Sequence, residues 1–114
     1  MSDQEHLGEA NYIYINGFEV PVGRDEQFFA AWKKIDDYMV VKPGYRWNRL
    51  HKSLDDKAAL RYINVVGWDS VEEFEAAHDA GFHELRRSLQ EGAFHSTPAL
   101  YRVDRASDAE PDAN

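Results

Sequence analysis

The strongest constraint on the fold of this chain is the order in which hydrophobic periodicities change along its 114 residues. Residues 12–20 are aromatic and β-branched and end at Pro21, which predicts a strand with two buried faces. Between residues 25 and about 41, apolar residues recur every three or four positions, which predicts an amphipathic helix that Pro43 blocks from continuing. The recurring residues are Phe28, Trp32, Ile35 and Met39.

Two runs in the middle of the chain alternate in the way that strands do. Residues 44–54 form the second predicted strand, and residues 60–68 form the third at the distance of a hairpin. One face of the second strand is predicted to carry Tyr45, Trp47, Arg49 and His51. One face of the third strand is predicted to carry Leu60, Tyr62, Asn64, Val66 and Trp68.

A second helix is predicted from Ser70, whose hydroxyl can cap the helix while Glu73 reaches back in a capping box. Gly81 is a possible break or close-packing point in this helix. Its apolar stripe comprises Phe74, His78, Phe82, Leu85 and Leu89. After the helix, residues 98–104 predict a short last strand with Pro98 at its start, where a missing amide donor is tolerated.

The resulting order β-α-β-β-α-β is that of the ferredoxin-like fold of the α+β class. This fold places two helices on one face of a four-stranded antiparallel sheet. The other face would then expose an apolar patch that is large for a small domain. That patch comprises Ile13, Ile15, Ile63 and Val65. A homodimer in which two sheets pair would cover it.

Composition predicts the domain organisation and limits the classes of partner. The net charge of -8 is concentrated in residues 1–10 and 105–114, which we expect to be disordered acidic tails of one domain spanning residues 11–104. This acidity disfavours a nucleic-acid partner. The chain has no cysteine, hence no disulfides or thiolate metal sites, and no apolar run approaches the roughly 18 residues of a membrane span. We expect a cytoplasmic protein without a membrane partner.

Four segments of the chain resemble the antibiotic biosynthesis monooxygenase superfamily. They are PGYRWNRLHKSL, RYINVVGWDSVEEFEAAH, FHELRRSL and PALYRV. The resemblance covers about residues 12–103 and implies a ferredoxin-like subunit that pairs into a dimeric α+β barrel, with a pocket between sheet and helices. Members of the superfamily include cofactor-independent oxygenases that act on polycyclic aromatic polyketides, and also haem-degrading enzymes.

The resemblance to the cofactor-independent oxygenases implies a site on the third strand. In those enzymes an Asn and a Trp four residues apart face the bound aromatic, and Asn64 and Trp68 have that spacing. An amide can hydrogen-bond a phenolate or peroxide oxygen, and an indole can stack and donate its N–H. Alternatively, Trp68 fills the core beside Phe74 while Asn64 satisfies backbone groups. Tyr62 shares their predicted face.

The resemblance to the haem-degrading branch implies a different set, in which Asn16, Trp68 and His78 surround a porphyrin and His78 ligates the iron. A packed, hydrogen-bonded histidine is the alternative for His78. The PGYxxxRLHxSL pattern is more similar to the broader monooxygenase group, which places haem second. A zinc site is not predicted, because His78 and His83 lie roughly 140° apart around a helix.

Charged residues outside these two sets provide further candidates. Arg49 and His51 share one predicted pleat, where Arg49 could hold an anionic oxygen and His51 could act as a base near neutral pH. A solvent-facing pair is the alternative. Arg86 and Arg87 form a basic pair on a helix, and such pairs are usually solvated.

Together these features predict a small dimeric monooxygenase that oxidises a planar, mono- or polycyclic aromatic substrate with dioxygen, without metal or flavin. The predicted catalytic residues are Asn64, Trp68 and His51, and the predicted substrate-binding residues are Asn16, Tyr62, Arg49, Phe74, His78 and Phe82. The first alternative is a haem-binding, haem-degrading monooxygenase with His78 as axial ligand. The second is a non-oxidative polyketide cyclase or a small-molecule-binding accessory protein.

Overall fold

The computed structural model describes residues 10–111, in which the strands and helices follow the predicted order except that the second helix is divided. The elements are β1 (Tyr12–Glu19), α1 (Asp25–Met39), β2 (Tyr45–Lys52), β3 (Tyr62–Trp68), α2 (Val71–Ala77), α3 (Ala80–Glu91) and β4 (His95–Arg102). The strands form one antiparallel sheet in the spatial order β2-β3-β1-β4. The predicted ferredoxin-like fold of the α+β class is confirmed.

The last strand begins earlier than predicted. It starts at His95, so Pro98 lies inside β4 opposite Asn16 of β1, and the predicted position of Pro98 at the start of the strand is wrong. The sheet tolerates this proline because β4 is an edge strand, whose outer side has no hydrogen-bond ladder to interrupt.

A β-bulge near the start of β2 changes which side chains share a face. The register shifts between Tyr45 and Trp47, so Tyr45 lies opposite Trp68 while Trp47 lies opposite Gly67. One extra residue in a bulge reverses the alternation of the side chains before it. The predicted common face of Tyr45 and Trp47 is therefore wrong, and Tyr45 points toward the helices together with Asn48.

The second helix starts as predicted but is not continuous. The Ser70 hydroxyl accepts a hydrogen bond from the Glu73 amide at 3.1 Å and donates one to its carboxylate at 3.0 Å. The helix then stops at His78, before Gly81, and α3 starts anew after Asp79. The Asp79 carboxylate caps α3 by accepting from the Phe82 amide at 3.0 Å, which stabilises a second helix start.

The side chains between sheet and helices form two hydrophobic clusters. One is centred on Phe28, the other on the fully buried Trp68. The opposite face of the sheet carries Ile13, Ile15, Ile63 and Val65, as predicted, and Ile63 keeps 37% of its surface exposed.

The chain ends only partly fall within the described structure. Residues 105–110 are exposed and outside any helix or strand, whereas residues 1–9 and 112–114 of the predicted tails lie outside the described residues. Within residues 10–111, no helix is long and apolar enough to cross a membrane.

Candidate active site

A cavity of about 40 Å³ lies between the sheet and the helices. Tyr14 of β1, Asn64 and Trp68 of β3, and Asp36 of α1 line it, together with His78 from the turn between α2 and α3. Most other lining residues are aromatic or aliphatic. The few polar groups of the cavity therefore stand in an apolar setting, which is typical of small-molecule sites.

Asn64 and Trp68 lie on the helix-facing side of β3, as their spacing predicts. They are 8% and 1% exposed, and Trp68 packs against Phe74 in a T-shaped contact with 5.8 Å between ring centroids. The Asn64 Oδ1 and the Trp68 Nε1 atoms are buried, and the described residues offer neither a hydrogen-bond partner. Buried polar atoms are normally paired. Two residues that line the cavity therefore stand out, because one carries an unpaired acceptor and the other an unpaired donor.

A second cavity of about 60 Å³ adjoins the first, and five residues line both. They are Tyr14, Trp32, Ile35, Asn64 and Phe82. Asn16 lines the second cavity opposite Asn64, and its Oδ1 atom is also buried without a partner among the described residues. Since a cavity of about 150 Å³ binds benzene, the side chains between the two spaces must move before an aromatic ligand can bind.

Arg86 of α3, which the sequence offered only as part of a basic pair that is usually solvated, also lines the second cavity. Its side chain forms no hydrogen bond or ion pair with another residue between 10 and 111, whereas Arg87 pairs with Glu84 at 3.2 Å on the surface. Its spacing from Phe82 and Leu89, four and three residues, places it on the buried stripe of the helix. That spacing was the signal available in the sequence.

His78 lies in an aromatic cage at the end of α2. Its ring centroid is 4.1 Å from that of Phe74, 4.4 Å from that of Phe82 and 5.5 Å from that of Tyr14. The His78 Nδ1 atom lies 2.6 Å from the Phe74 carbonyl oxygen, so Nδ1 carries the proton and donates it. Burial lowers the pKa of His78 below 6.5, so its ring is neutral at neutral pH and Nε2 is an acceptor.

The His78 imidazole is chemically suited to bind haem iron, but the cavities are too small for the porphyrin ring. A neutral histidine whose Nδ1 donates to a backbone carbonyl is oriented as metal-bound histidines usually are. Trp68 is close, with its ring centroid 6.0 Å from that of His78. The two cavities of about 40 and 60 Å³ are nevertheless far smaller than the several hundred Å³ of ordinary cofactor sites. A porphyrin does not fit.

Asp36 forms a hydrogen-bonded group on the cavity wall that sequence reasoning also missed. One carboxylate oxygen, Oδ1, accepts from the Tyr45 hydroxyl at 2.8 Å and from the Asn48 Nδ2 atom at 2.9 Å. Burial, and then the bond to Asp36, raises the pKa of Tyr45 strongly, so its hydroxyl stays protonated. The bulge in β2 explains why the pattern hid this group, since alternation alone puts Tyr45 on the other face.

The structure does not bring Arg49 and His51 to the cavity. They share one pleat, as predicted, but lie opposite Val65 and Ile63 on the face away from the helices, and both are exposed. The His51 Nδ1 atom lies 3.2 Å from the Ile63 carbonyl oxygen. Grouping these two residues with Asn64 in one site is therefore corrected by the structure.

Of the remaining predicted substrate-binding residues, only Phe82 lines the cavities. Phe74 stands behind the cavity wall, against His78 and Trp68. Tyr62 faces the helices but belongs to the other hydrophobic cluster, where it stacks on Phe28 and donates its hydroxyl to Asp25 at 2.7 Å.

Comparison with solved structures relates this geometry to known proteins. A presumed monooxygenase from Shewanella loihica is 37% identical over 85% of this chain and 97% of its own, with a TM-score of 0.71. A presumed antibiotic biosynthesis monooxygenase from Bordetella bronchiseptica is 24% identical over 85% of this chain and 99% of its own, with a TM-score of 0.63. The chain belongs to the same family as the Shewanella loihica protein, and its fold is that of the antibiotic biosynthesis monooxygenases.

A third structure of this superfamily fold has an assigned activity. SnoaB, a cofactor-independent oxygenase from Streptomyces nogalater, is 20% identical over 83% of this chain and 94% of its own, with a TM-score of 0.70. At that identity the likeness supports the superfamily fold alone. No protein-family model and no curated protein matches the sequence.

Proposed function

We propose that this protein is a monooxygenase that oxidises a planar hydroxylated aromatic with dioxygen, without metal or flavin. The observation that carries the proposal is the pair of unpaired buried atoms, Asn64 Oδ1 and Trp68 Nε1, in an aromatic-lined cavity. Both are on β3 at the spacing that resembles the cofactor-independent oxygenases. The similarity to the presumed monooxygenase from Shewanella loihica supports the reaction class.

The substrate supplies all the electrons in this reaction. A phenol with an unsubstituted ring position reacts with dioxygen to give a quinone and water, so one oxygen atom enters the product. The phenolic hydrogen and the ring hydrogen leave in the water, and no external reductant is needed. The Trp68 N–H donates to the substrate oxygen and stabilises charge that develops on it, while the Asn64 Oδ1 atom accepts a hydrogen bond that orients the substrate. The Arg86 guanidinium adds positive charge beside the same space.

We also propose that the protein is a homodimer in which the helix-free faces of two sheets pair. Ile13, Ile15, Ile63 and Val65 lie together on that face and would otherwise leave an apolar patch in water. Pairing the sheets would bury Ile63, which is 37% exposed in the single chain.

Oxygen uptake in the presence of a panel of polycyclic phenols with a free ring position tests the proposed reaction. With a chelator present and no reductant, the protein should accelerate uptake with at least one phenol, and heat-denatured protein should not. Tight binding of a phenol without uptake would instead indicate a non-oxidative cyclase or binding protein.

Haem oxidation is the alternative that the superfamily resemblance implies, although a porphyrin does not fit these cavities. Titration of the protein with haemin distinguishes the two. The small cavities predict no saturable Soret shift, and a shift that His78→Ala abolishes would favour haem chemistry.

A further inference from the structure

The end of the first cavity near α1 and β2 presents acceptor oxygens. Asp36 on α1 is half-buried and lines the cavity beside Asn48 of β2. The Asp36 Oδ1 atom accepts two hydrogen bonds, from the Tyr45 hydroxyl at 2.8 Å and from the Asn48 Nδ2 atom at 2.9 Å. The carboxylate is thereby fixed in orientation from two sides by β2.

The carboxylate also determines which way the Asn48 amide points. A carboxylate only accepts hydrogen bonds, so the Nδ2 atom must face Asp36 and the Oδ1 atom must point away from it. That Oδ1 atom is buried and has no partner among the described residues. Asn48, which lines the same wall of the cavity as Asp36, therefore carries an acceptor oxygen to which no residue between 10 and 111 donates.

Among residues 10–111, no cationic side chain lies within ion-pair distance of the Asp36 carboxylate. The neighbouring Asp37 is exposed and pairs with Lys33 at 2.9 Å, whereas Asp36 forms no ion pair there. A partly buried carboxylate is stabilised by each hydrogen bond it accepts, and a ligand anion beside it would be repelled. This end of the cavity favours a neutral group that donates a hydrogen bond.

We propose that Asp36, with Asn48, makes the cavity selective for aromatic ligands that carry a free hydroxyl. The hydroxyl donates to the Asp36 carboxylate, and an ether or a carboxylate at the same ring position is rejected. This inference rests on the proposed function, because it assigns the substrate class of the same cavity. A site built to bind a hydroxyl discriminates strongly against an analogue without it, since its own polar groups are then left unpaired.

Equilibrium dialysis of β-naphthol and of its methyl ether at neutral pH tests the proposal without requiring turnover. The wild-type protein should bind β-naphthol about tenfold or more tightly, as expected for one hydrogen bond to a charged acceptor. Asp36→Asn should remove this preference. The asparagine can still accept from Tyr45 and Asn48, so the fold is retained, but its amide nitrogen replaces the other carboxylate oxygen. Asp37→Asn is the matched control and should behave as wild type.

The outcomes separate this inference from the proposed function. Equal binding of the two compounds by the wild type, or a preference that survives in Asp36→Asn, would overturn the role of Asp36 alone. Failure of both compounds to bind would overturn it together with the aromatic pocket of the proposed function. A preference that is lost in Asp36→Asn and kept in Asp37→Asn supports it. Thermal unfolding of both variants confirms that each is folded in the comparison.

Discussion

Two buried asparagines face each other across the centre of the sheet. Asn16 and Asn64 are each 8% exposed, and each has an Oδ1 atom without a partner in the described residues. Leaving a buried acceptor unpaired costs about 1–3 kcal/mol. A ligand that donates to these oxygens would offset that cost, so their arrangement is better suited to binding than to stability.

Replacing Asn64 by alanine distinguishes a role in ligand binding from a role in the stability of the fold. We expect kcat for phenol oxidation to fall about 10²-fold, because the acceptor that orients the substrate hydroxyl is removed. The free energy of unfolding should change by less than about 1 kcal/mol, because an already unpaired acceptor is removed. Oxygen-electrode kinetics and denaturant unfolding measure the two effects. Asn11→Ala, at an exposed position, is the control, and a large loss of stability with unchanged kcat would show a structural role for Asn64.

His78 should make the folded state sensitive to mild acid. Burial lowers its pKa below 6.5, so as the pH falls through 6.5 the unfolded chain binds a proton that the folded chain does not. Stability from this residue is therefore complete above pH 6.5 and decreases below it. Urea unfolding at several pH values should show a shallower decrease for His78→Asn than for wild type. Identical slopes for the two proteins would refute the assignment.

Some site residues could be predicted from the sequence and others could not. Asn64 and Trp68 were found because a four-residue spacing in an unbroken strand keeps two side chains on one face. Asp36 was not found, because its place in the site depends on partners from β2 beyond a bulge that no local pattern reveals. His51 was misplaced because alternation gives the two faces of a strand without indicating which one meets the helices.

At the scale of the elements, the interruption between α2 and α3 shapes the cavity. The apolar stripe of the sequence continues through it and predicts one helix, but Asp79 accepts from the Tyr38 hydroxyl at 2.6 Å and from Lys42 at 3.0 Å. These long-range contacts to α1 anchor the residue that caps α3. They also lower the pKa of Asp79, chiefly through the Tyr38 bond. The helix stop is a tertiary effect, and it leaves His78 at the cavity wall.

Gly81 should be required for this junction. A Cβ atom at Gly81 would overlap the Tyr38 side chain, so Gly81→Ala should destabilise the protein by about 1–3 kcal/mol despite the better helix propensity of alanine. A double-mutant cycle with Tyr38→Ala measures the cause by chemical denaturation. The cost of Gly81→Ala should shrink when Tyr38 is absent, and an unchanged cost would locate the strain elsewhere.

At the scale of the whole molecule, the sheet has one face for the site and one for assembly. The order of elements was sufficient to predict the fold, because the ferredoxin-like topology buries one sheet face under a single layer of helices. The other face combines apolar residues of β1 and β3 with the exposed Arg49 and His51 of β2.

A charged side chain introduced on the helix-free face of the sheet tests whether two sheets pair. Light scattering at micromolar concentration should give twice the monomer mass of 13.2 kDa for the wild type. Ile63→Glu should give the monomer mass, because the carboxylate would be buried unpaired in the interface. Val22→Glu, at a fully exposed position away from the sheet, should remain a dimer. A wild-type monomer would contradict the pairing.

The central claim is that the chain itself directs dioxygen into an aromatic substrate. Its most direct test is turnover of a polycyclic phenol with a free ring position under isotopically labelled dioxygen, with chelator present and reductant absent, followed by mass spectrometry of the product. We predict a quinone that carries one labelled oxygen atom beside the unlabelled phenolic oxygen, with the other labelled atom in water, and much less labelled product from Asn64→Ala. Product formed without label, or label that appears only after metal or reductant is added, would contradict it.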